Sequence, residues 1–122
     1  MTSKDAPTDD TRMQTQLQKL GMRFVERCVG EIVLMRKHLE DARAGDVATF
    51  QLLQQLAHRM HGTGAIFGFA VVSDSAGEIE LLAERCAGAG TTADTATVEQ
   101  LLSCFAQLEH ELSRLTSTFA KQ

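Results

Sequence analysis

Residues 56–68 read LAHRMHGTGAIFG, and the order of apolar and polar residues in and around this stretch decides the fold. At about 100° per residue, an ideal helix gathers the apolar residues of the region on one face: Phe50, Leu53, Leu56, Ala57, Met60, Gly64 and Phe67. His58 and Gly62 lie roughly 180° away from that face. We therefore predict an amphipathic helix that packs its apolar face against other helices and holds the His58 imidazole in water.

Gly62 is an unusual choice for the exposed face of such a helix. It lies one turn after His58 and over the same face, and a glycine there lowers helix stability by about 1 kcal/mol relative to alanine. A bare patch beside an exposed imidazole suits a partner protein that must bring its own backbone or active-site rim close to the ring.

The rest of the chain is also predicted to be helical. Apolar residues recur three and four positions apart, which predicts helices over residues 11–44, 47–66, 69–87 and 94–120. Gly21 and Gly30 weaken the first, so it is either one long kinked helix or a short helix leading into a longer one. Gly45 fits a C-terminal cap and Asp46 the next N-cap. Four helices joined by short turns predict an all-α fold, an antiparallel up-down four-helix bundle.

The chain length limits the domain organisation. At 122 residues the chain suits one domain with one core. Residues 1–10 are polar, include the only proline and have no periodic apolar face, so we predict a mobile tail followed by a bundle domain over residues 11–122. With one apolar stripe per helix, the bundle can close as a monomer.

Composition excludes several classes of function. The formal net charge of -4 and the absence of Trp and Tyr argue against nucleic-acid binding. No apolar run approaches the roughly 20 residues of a membrane span and no signal peptide is visible, so we predict a cytoplasmic protein with no membrane contact. Cys28, Cys86 and Cys104 are odd in number and lack CxxC spacing, which predicts buried thiols in a reducing compartment.

His58, the pair His61-Gly62, Ala65 and Gly68 resemble the signature of histidine-containing phosphotransfer (HPt) domains, with the surrounding helices extending the likeness over nearly the whole chain. The family signature runs His-x-x-Lys-Gly, followed by a small residue and a further glycine. One position departs from it, because His61 stands where the family usually has lysine.

The resemblance implies the site and its partners. His58 is the expected phospho-acceptor, receiving a phosphoryl group from a receiver-domain aspartate or a histidine kinase and passing it to a response regulator. The chain itself would be a phosphocarrier with a phosphohistidine intermediate and not a kinase. It would need no cofactor of its own, because the receiver supplies Mg²⁺. Around His58, the expected docking residues are Gly62, Arg59, Gln55 and Ala65, with His61 and Arg59 as candidates for touching the phosphoryl group.

The resemblance also suggests a partner for the His58 ring. In the amino-terminal phosphotransfer modules of chemotaxis histidine kinases, a third-helix glutamate orients the acceptor histidine, and the matching position here is Glu80. A carboxylate that accepts the N–H of one ring nitrogen makes the other a better nucleophile. The third-helix histidine often found one turn earlier is Gly77 here, so the network is expected to be incomplete. His38 and His110 are interpreted as surface histidines.

Two alternatives stay open. One is a metal site, because His58 and His61 share a helical face and Glu80 could add a third ligand, although the sequence has none of the Glu-x-x-His motifs of bundle metal sites, and no metal is expected. The other is an HPt-like docking module that is never phosphorylated and inhibits a receiver or kinase, motivated by histidine in place of lysine at His61.

Overall fold

The computed structural model describes residues 9–90 and 93–121, and every regular element in these ranges is an α-helix. The helices are α1 (Asp9–Arg43), α2 (Thr49–Ile66), α3 (Ala70–Ala89) and α4 (Thr95–Ala120). Each predicted end lies within two residues of the observed one. Within the described ranges, no helix combines the length and the apolar character needed to cross a bilayer.

The N-terminal region differs in detail from the prediction. The predicted tail, residues 1–10, lies outside the described residues except for its last two, which begin α1. From there α1 runs without interruption for 35 residues, so there is one helix here and not two.

The four helices form a closed ring in which each contacts two neighbours: α1 packs on α2 and α4, and α3 packs on α2 and α4. The Arg36 guanidinium joins the C-terminal part of α1 to the middle of α4 through two hydrogen bonds to Glu109, of 2.6 and 3.0 Å, while its Cζ lies 5.1 Å from the Phe105 ring centroid. Short connections make consecutive helices antiparallel. The predicted all-α bundle is confirmed.

The core is apolar and includes the three cysteines. Its largest fully buried side chains are Phe50, Phe105, Met35, Leu39, Leu53 and Met60. Cys28, Cys86 and Cys104 are buried free thiols, as predicted. Burial raises the pKa of both Cys28 and Cys104 to about 12, so these thiols stay protonated and unreactive near neutral pH.

Four phenylalanines close one end of the bundle. The rings of Phe24, Phe67 and Phe69 stack with centroids 5.5 to 6.1 Å apart, and Phe119 meets Phe69 edge-on at 6.3 Å. Gly21 makes room for this cluster, because a Cβ there would lie 3.2 Å from the Phe69 ring. The cluster fixes the position of the α2–α3 turn against α1.

The first turns of α1 extend beyond this end. Residues 10–20 are all exposed, including Met13 (62% exposed), Leu17 (52%) and Leu20 (46%). These residues continue the stripe that is buried from Phe24 onward. At 1.5 Å per residue, α1 is about 52 Å long, whereas its two neighbours α2 and α4 are about 27 and about 39 Å long, so both end before they can cover these residues.

The helix ends follow local chemistry. Gly68 has φ of 76° and closes α2 in a Schellman turn, in which the Phe69 N–H donates to the Gly64 carbonyl at 2.9 Å. At α4 the Asp94 carboxylate accepts from the Thr97 N–H at 2.7 Å, a bond that lowers the pKa of Asp94. The predicted Asp46 N-cap is wrong, because a turn intervenes and α2 starts after Ala48 with no side-chain cap.

Candidate functional site

Helix α2 places the His58 side chain in solvent. The opposite face of the helix is buried in the core through Phe50, Leu53, Leu56, Ala57, Met60 and Gly64. The His58 side chain is 70% exposed, as its helical phase predicts. The imidazole therefore projects from a helix that the core holds in place, and another protein can reach it.

Glu80 of α3 holds the ring of His58. Its Oε2 lies 2.7 Å from Nδ1 of His58, and its side chain is only 19% exposed against 70% for the histidine. Because a carboxylate only accepts hydrogen bonds, Nδ1 carries the proton and donates it. In the neutral ring this leaves Nε2, the nitrogen that does not contact Glu80, with a free lone pair on an exposed side chain.

His61 is held in the seam between α2 and α3. Its Nδ1 donates to the backbone carbonyl of Ser73 at 2.7 Å and lies 3.1 Å from the Ser73 hydroxyl, which in turn donates to the His61 carbonyl at 2.9 Å. The side chain is half-buried, and it does not line either of the surface depressions beside His58. The sequence brings His61 within one turn of His58, but the structure directs its Nδ1 to α3.

Small residues on the facing helices make this seam possible. A Cβ at Gly77 would lie 2.9 Å from Nδ1 of His61, and one at Gly64 would lie 3.2 Å from the Ser73 amide nitrogen. The absence of a side chain at Gly77 therefore makes room for the His61 ring. Sequence reasoning overlooked Ser73. The available signal was a pair of small residues on α3, with Ser73 two turns and Gly77 one turn before Glu80.

One shallow depression joins His58 to α1. A Cβ at Gly62 would meet nothing within 4 Å, so the surface beside the imidazole is open. Besides His58, its lining residues are Arg27, Glu31, Arg59, Gly62, Thr63 and Ile66. Arg27 is paired with Glu31 at 3.4 Å and lies over the Phe24 ring, while Ile66 is 82% exposed. The residues from α1 had no signal in the sequence, because they are brought here only by helix packing.

A second depression lies on the α3 side of His58. Gln54, Gln55, His58, Arg59 and Glu80 line it, so Arg59 borders both depressions. Of the predicted docking residues, the structure gathers Gly62, Arg59 and Gln55 around His58. Ala65 is exposed but lines neither depression.

The metal alternative has little geometric support. Nδ1 of His58 is bound to Glu80 and Nδ1 of His61 to Ser73, so neither ring turns that nitrogen toward a shared point. Among the residues that the structure describes, no three His, Cys, Asp or Glu side chains are grouped to hold an ion. The remaining histidines, His38 and His110, belong to α1 and α4, away from these depressions.

Four antiparallel helices, with an exposed imidazole on α2 and a carboxylate of α3 behind it, are the arrangement expected of a helical phosphotransfer bundle. The chain belongs to the Hpt domain family, whose model matches residues 6–118. Comparison with curated proteins and with solved structures finds no match. Family membership gives the chain a phosphotransfer role in two-component signalling. Hpt domains are phosphocarriers rather than kinases, and they interact with receiver domains and histidine kinases.

Proposed function

We propose that this protein carries a phosphoryl group on Nε2 of His58, taking it from a receiver-domain aspartate or a histidine kinase and passing it to a response regulator. The observation that supports this best is the 2.7 Å contact between Nδ1 of His58 and Glu80, which leaves Nε2 free on an exposed ring. The open surface at Gly62 gives a partner's active site room to approach.

The transfer needs no proton movement on the ring. The Nε2 lone pair attacks phosphorus in line, the Nε2–P bond forms as the aspartyl O–P bond breaks, and the bonding electrons leave with the aspartate carboxylate. Nδ1 keeps its proton throughout. The ring becomes a cationic phosphoimidazolium, which the negative charge of Glu80 stabilises across the 2.7 Å contact. Transfer to the next receiver is the same step in reverse.

The partner supplies the rest of the catalysis. Phosphoryl transfer depends on positioning and on charge stabilisation of the equatorial oxygens, and Mg²⁺ in the receiver's site would supply much of that charge. The chain contributes a nucleophile held by α2 and oriented by Glu80.

A phosphotransfer assay tests this proposal. Purified protein is incubated with phosphorylated receiver domains, and acid-labile, base-stable phosphate is followed on wild type, on His58→Gln and on His110→Gln, a matched control at an exposed histidine of α4. We expect label on wild type and on His110→Gln, and none on His58→Gln. Label retained by His58→Gln would refute the assignment of the acceptor.

The second candidate function is a module that docks to a receiver or kinase without being phosphorylated. The position of His61 favours it: where the family has lysine, this ring is bound to Ser73 and offers no fixed charge to a phosphoryl group. In that case no receiver would label the folded wild type, while a receiver would still bind both wild type and His58→Gln.

A further inference from the structure

We propose that Arg59 is the fixed cation that stabilises the phosphoryl group on His58, in place of the residue at position 61. This inference rests on the proposed function. The phosphoryl oxygens on Nε2 carry about two negative charges, of which the cationic ring offsets one, and they lie on the same ring as the Nδ1 that contacts the Glu80 carboxylate at 2.7 Å. A nearby cation would therefore lower the free energy of the phosphorylated state and of the transition state that leads to it.

His61 is unsuited to this role. Its Nδ1 is bound to the Ser73 carbonyl at 2.7 Å, and its ring lies against Gly77 in the seam between α2 and α3. It borders neither depression beside His58. Moving the ring toward His58 would break the Ser73 bond and leave the space above Gly77 empty.

Arg27 is the next candidate, and it is already engaged. Its guanidinium pairs with Glu31 at 3.4 Å and packs over the Phe24 ring, with Cζ 5.6 Å from the centroid. It borders only the depression on the α1 side. Glu31 offsets much of the charge that Arg27 would otherwise offer.

In the described part of the chain, Arg59 has the position and the unpaired charge that this role requires. It borders both depressions that His58 borders, the one on the α1 side and the one on the α3 side. It is exposed, and no carboxylate in the described ranges forms an ion pair with it. Because adjacent helix positions point about 100° apart, the backbone does not direct Arg59 at the phosphoryl group on His58. The long, flexible side chain of Arg59 brings its guanidinium to the phosphoryl oxygens.

The experiment separates charge stabilisation from docking by using two phosphodonors. Phosphoramidate, a small molecule, transfers its phosphoryl group with ammonia as the leaving group and needs no docking surface, whereas a phosphorylated receiver needs one. Initial rates of His58 labelling from both donors are measured on wild type, Arg59→Gln, Arg59→Lys and Arg85→Gln. Arg85 is an exposed arginine of α3 on the side that faces α4, and it serves as the matched control for net charge.

We expect Arg59→Gln to slow labelling from both donors by about tenfold or more, the usual effect of losing a hydrogen bond to a charged group. Arg59→Lys should recover part of the rate, because it keeps the charge but not the forked geometry. Arg85→Gln should match wild type.

Two outcomes would overturn the inference while leaving the proposed function intact. In the first, wild type is labelled on His58 and Arg59→Gln is labelled at the wild-type rate by both donors. The other is a loss confined to the receiver, which would make Arg59 a docking contact only. If neither donor labels wild type, the proposed function fails and this inference fails with it.

Discussion

Replacing Gly77 with alanine tests whether the His61 ring and the bare α3 backbone are energetically coupled. The substitution adds one methyl group in a helix interior, where alanine is normally favoured. Here the new Cβ would lie 2.9 Å from Nδ1 and 3.0 Å from Cε1 of His61, closer than van der Waals contact permits. The ring must move, and its 2.7 Å bond to the Ser73 carbonyl is then lost.

The magnitude follows from opposing effects. Alanine in place of glycine in a helix interior raises the free energy of unfolding by about 1 kcal/mol. The lost hydrogen bond lowers it by about 1 kcal/mol, and forcing a methyl group into a packed seam lowers it by about 1 kcal/mol more. We therefore expect Gly77→Ala to lower the free energy of unfolding by about 1 kcal/mol, or the melting temperature by about 4 °C.

A double-mutant cycle with His61→Ala isolates the coupling. Without the ring, Gly77→Ala should raise the free energy of unfolding by about 1 kcal/mol, which gives a coupling energy of about 2 kcal/mol. Urea denaturation followed by circular dichroism measures all four proteins. Gly30→Ala is the matched control, because Gly30 lies in the interior of α1 with nothing within 4 Å of a new Cβ. This substitution should raise the free energy of unfolding by the full value of about 1 kcal/mol.

The reasoning would be refuted if Gly77→Ala stabilised the protein as much as Gly30→Ala does. It would also be refuted by a coupling energy below about 0.5 kcal/mol, the level seen for independent sites.

Two further predictions concern the docking surface and the α4 cap. Gly62→Arg should leave the bundle folded and raise the urea midpoint, because nothing lies within 4 Å of a new Cβ and arginine favours the helix over glycine by somewhat less than about 1 kcal/mol. The same substitution should slow transfer from a phosphorylated receiver on the order of a hundredfold by displacing the partner; transfer at the wild-type rate would contradict the role of the bare patch. Asp94 has a pKa lowered by the Thr97 N–H, so its contribution to stability should be complete above its unfolded pKa of about 3.9 and be lost as the pH falls through the folded value. The stability advantage of wild type over Asp94→Ala in urea should accordingly be constant near neutral pH and shrink as the pH falls below about 3.9, and an advantage that stays constant at acid pH would show that the carboxylate charge is not involved.

The fold was predictable because the spacing of apolar residues within each helix indicates which face of that helix is buried. The 3-and-4 recurrence placed every helix end within two residues, and the αL glycine at Gly68 marked the α2–α3 turn. The extent of burial along α1 was not predictable. Met13, Leu17 and Leu20 have the same spacing as the core residues that follow, and they are exposed because the two helices that pack on α1 are shorter than α1.

The site was predictable in part for similar reasons. The exposure of His58 followed from helical phase, whereas Glu80 was indicated only by resemblance, since its contact joins residues on different helices. The environment of His61 was missed because its partner is a backbone carbonyl, a group present at every position that no pattern of residue types can reveal.

The projecting start of α1 divides the chain into two levels of local stability. Residues 10–20 have no buried side chains, so opening these turns exposes little additional apolar surface to water. From Phe24 to Ala42 the same helix is anchored in the core, and opening it requires disrupting the bundle. Amide hydrogens in the first segment can therefore exchange with solvent through local fraying, whereas those in the second exchange only when the whole domain unfolds.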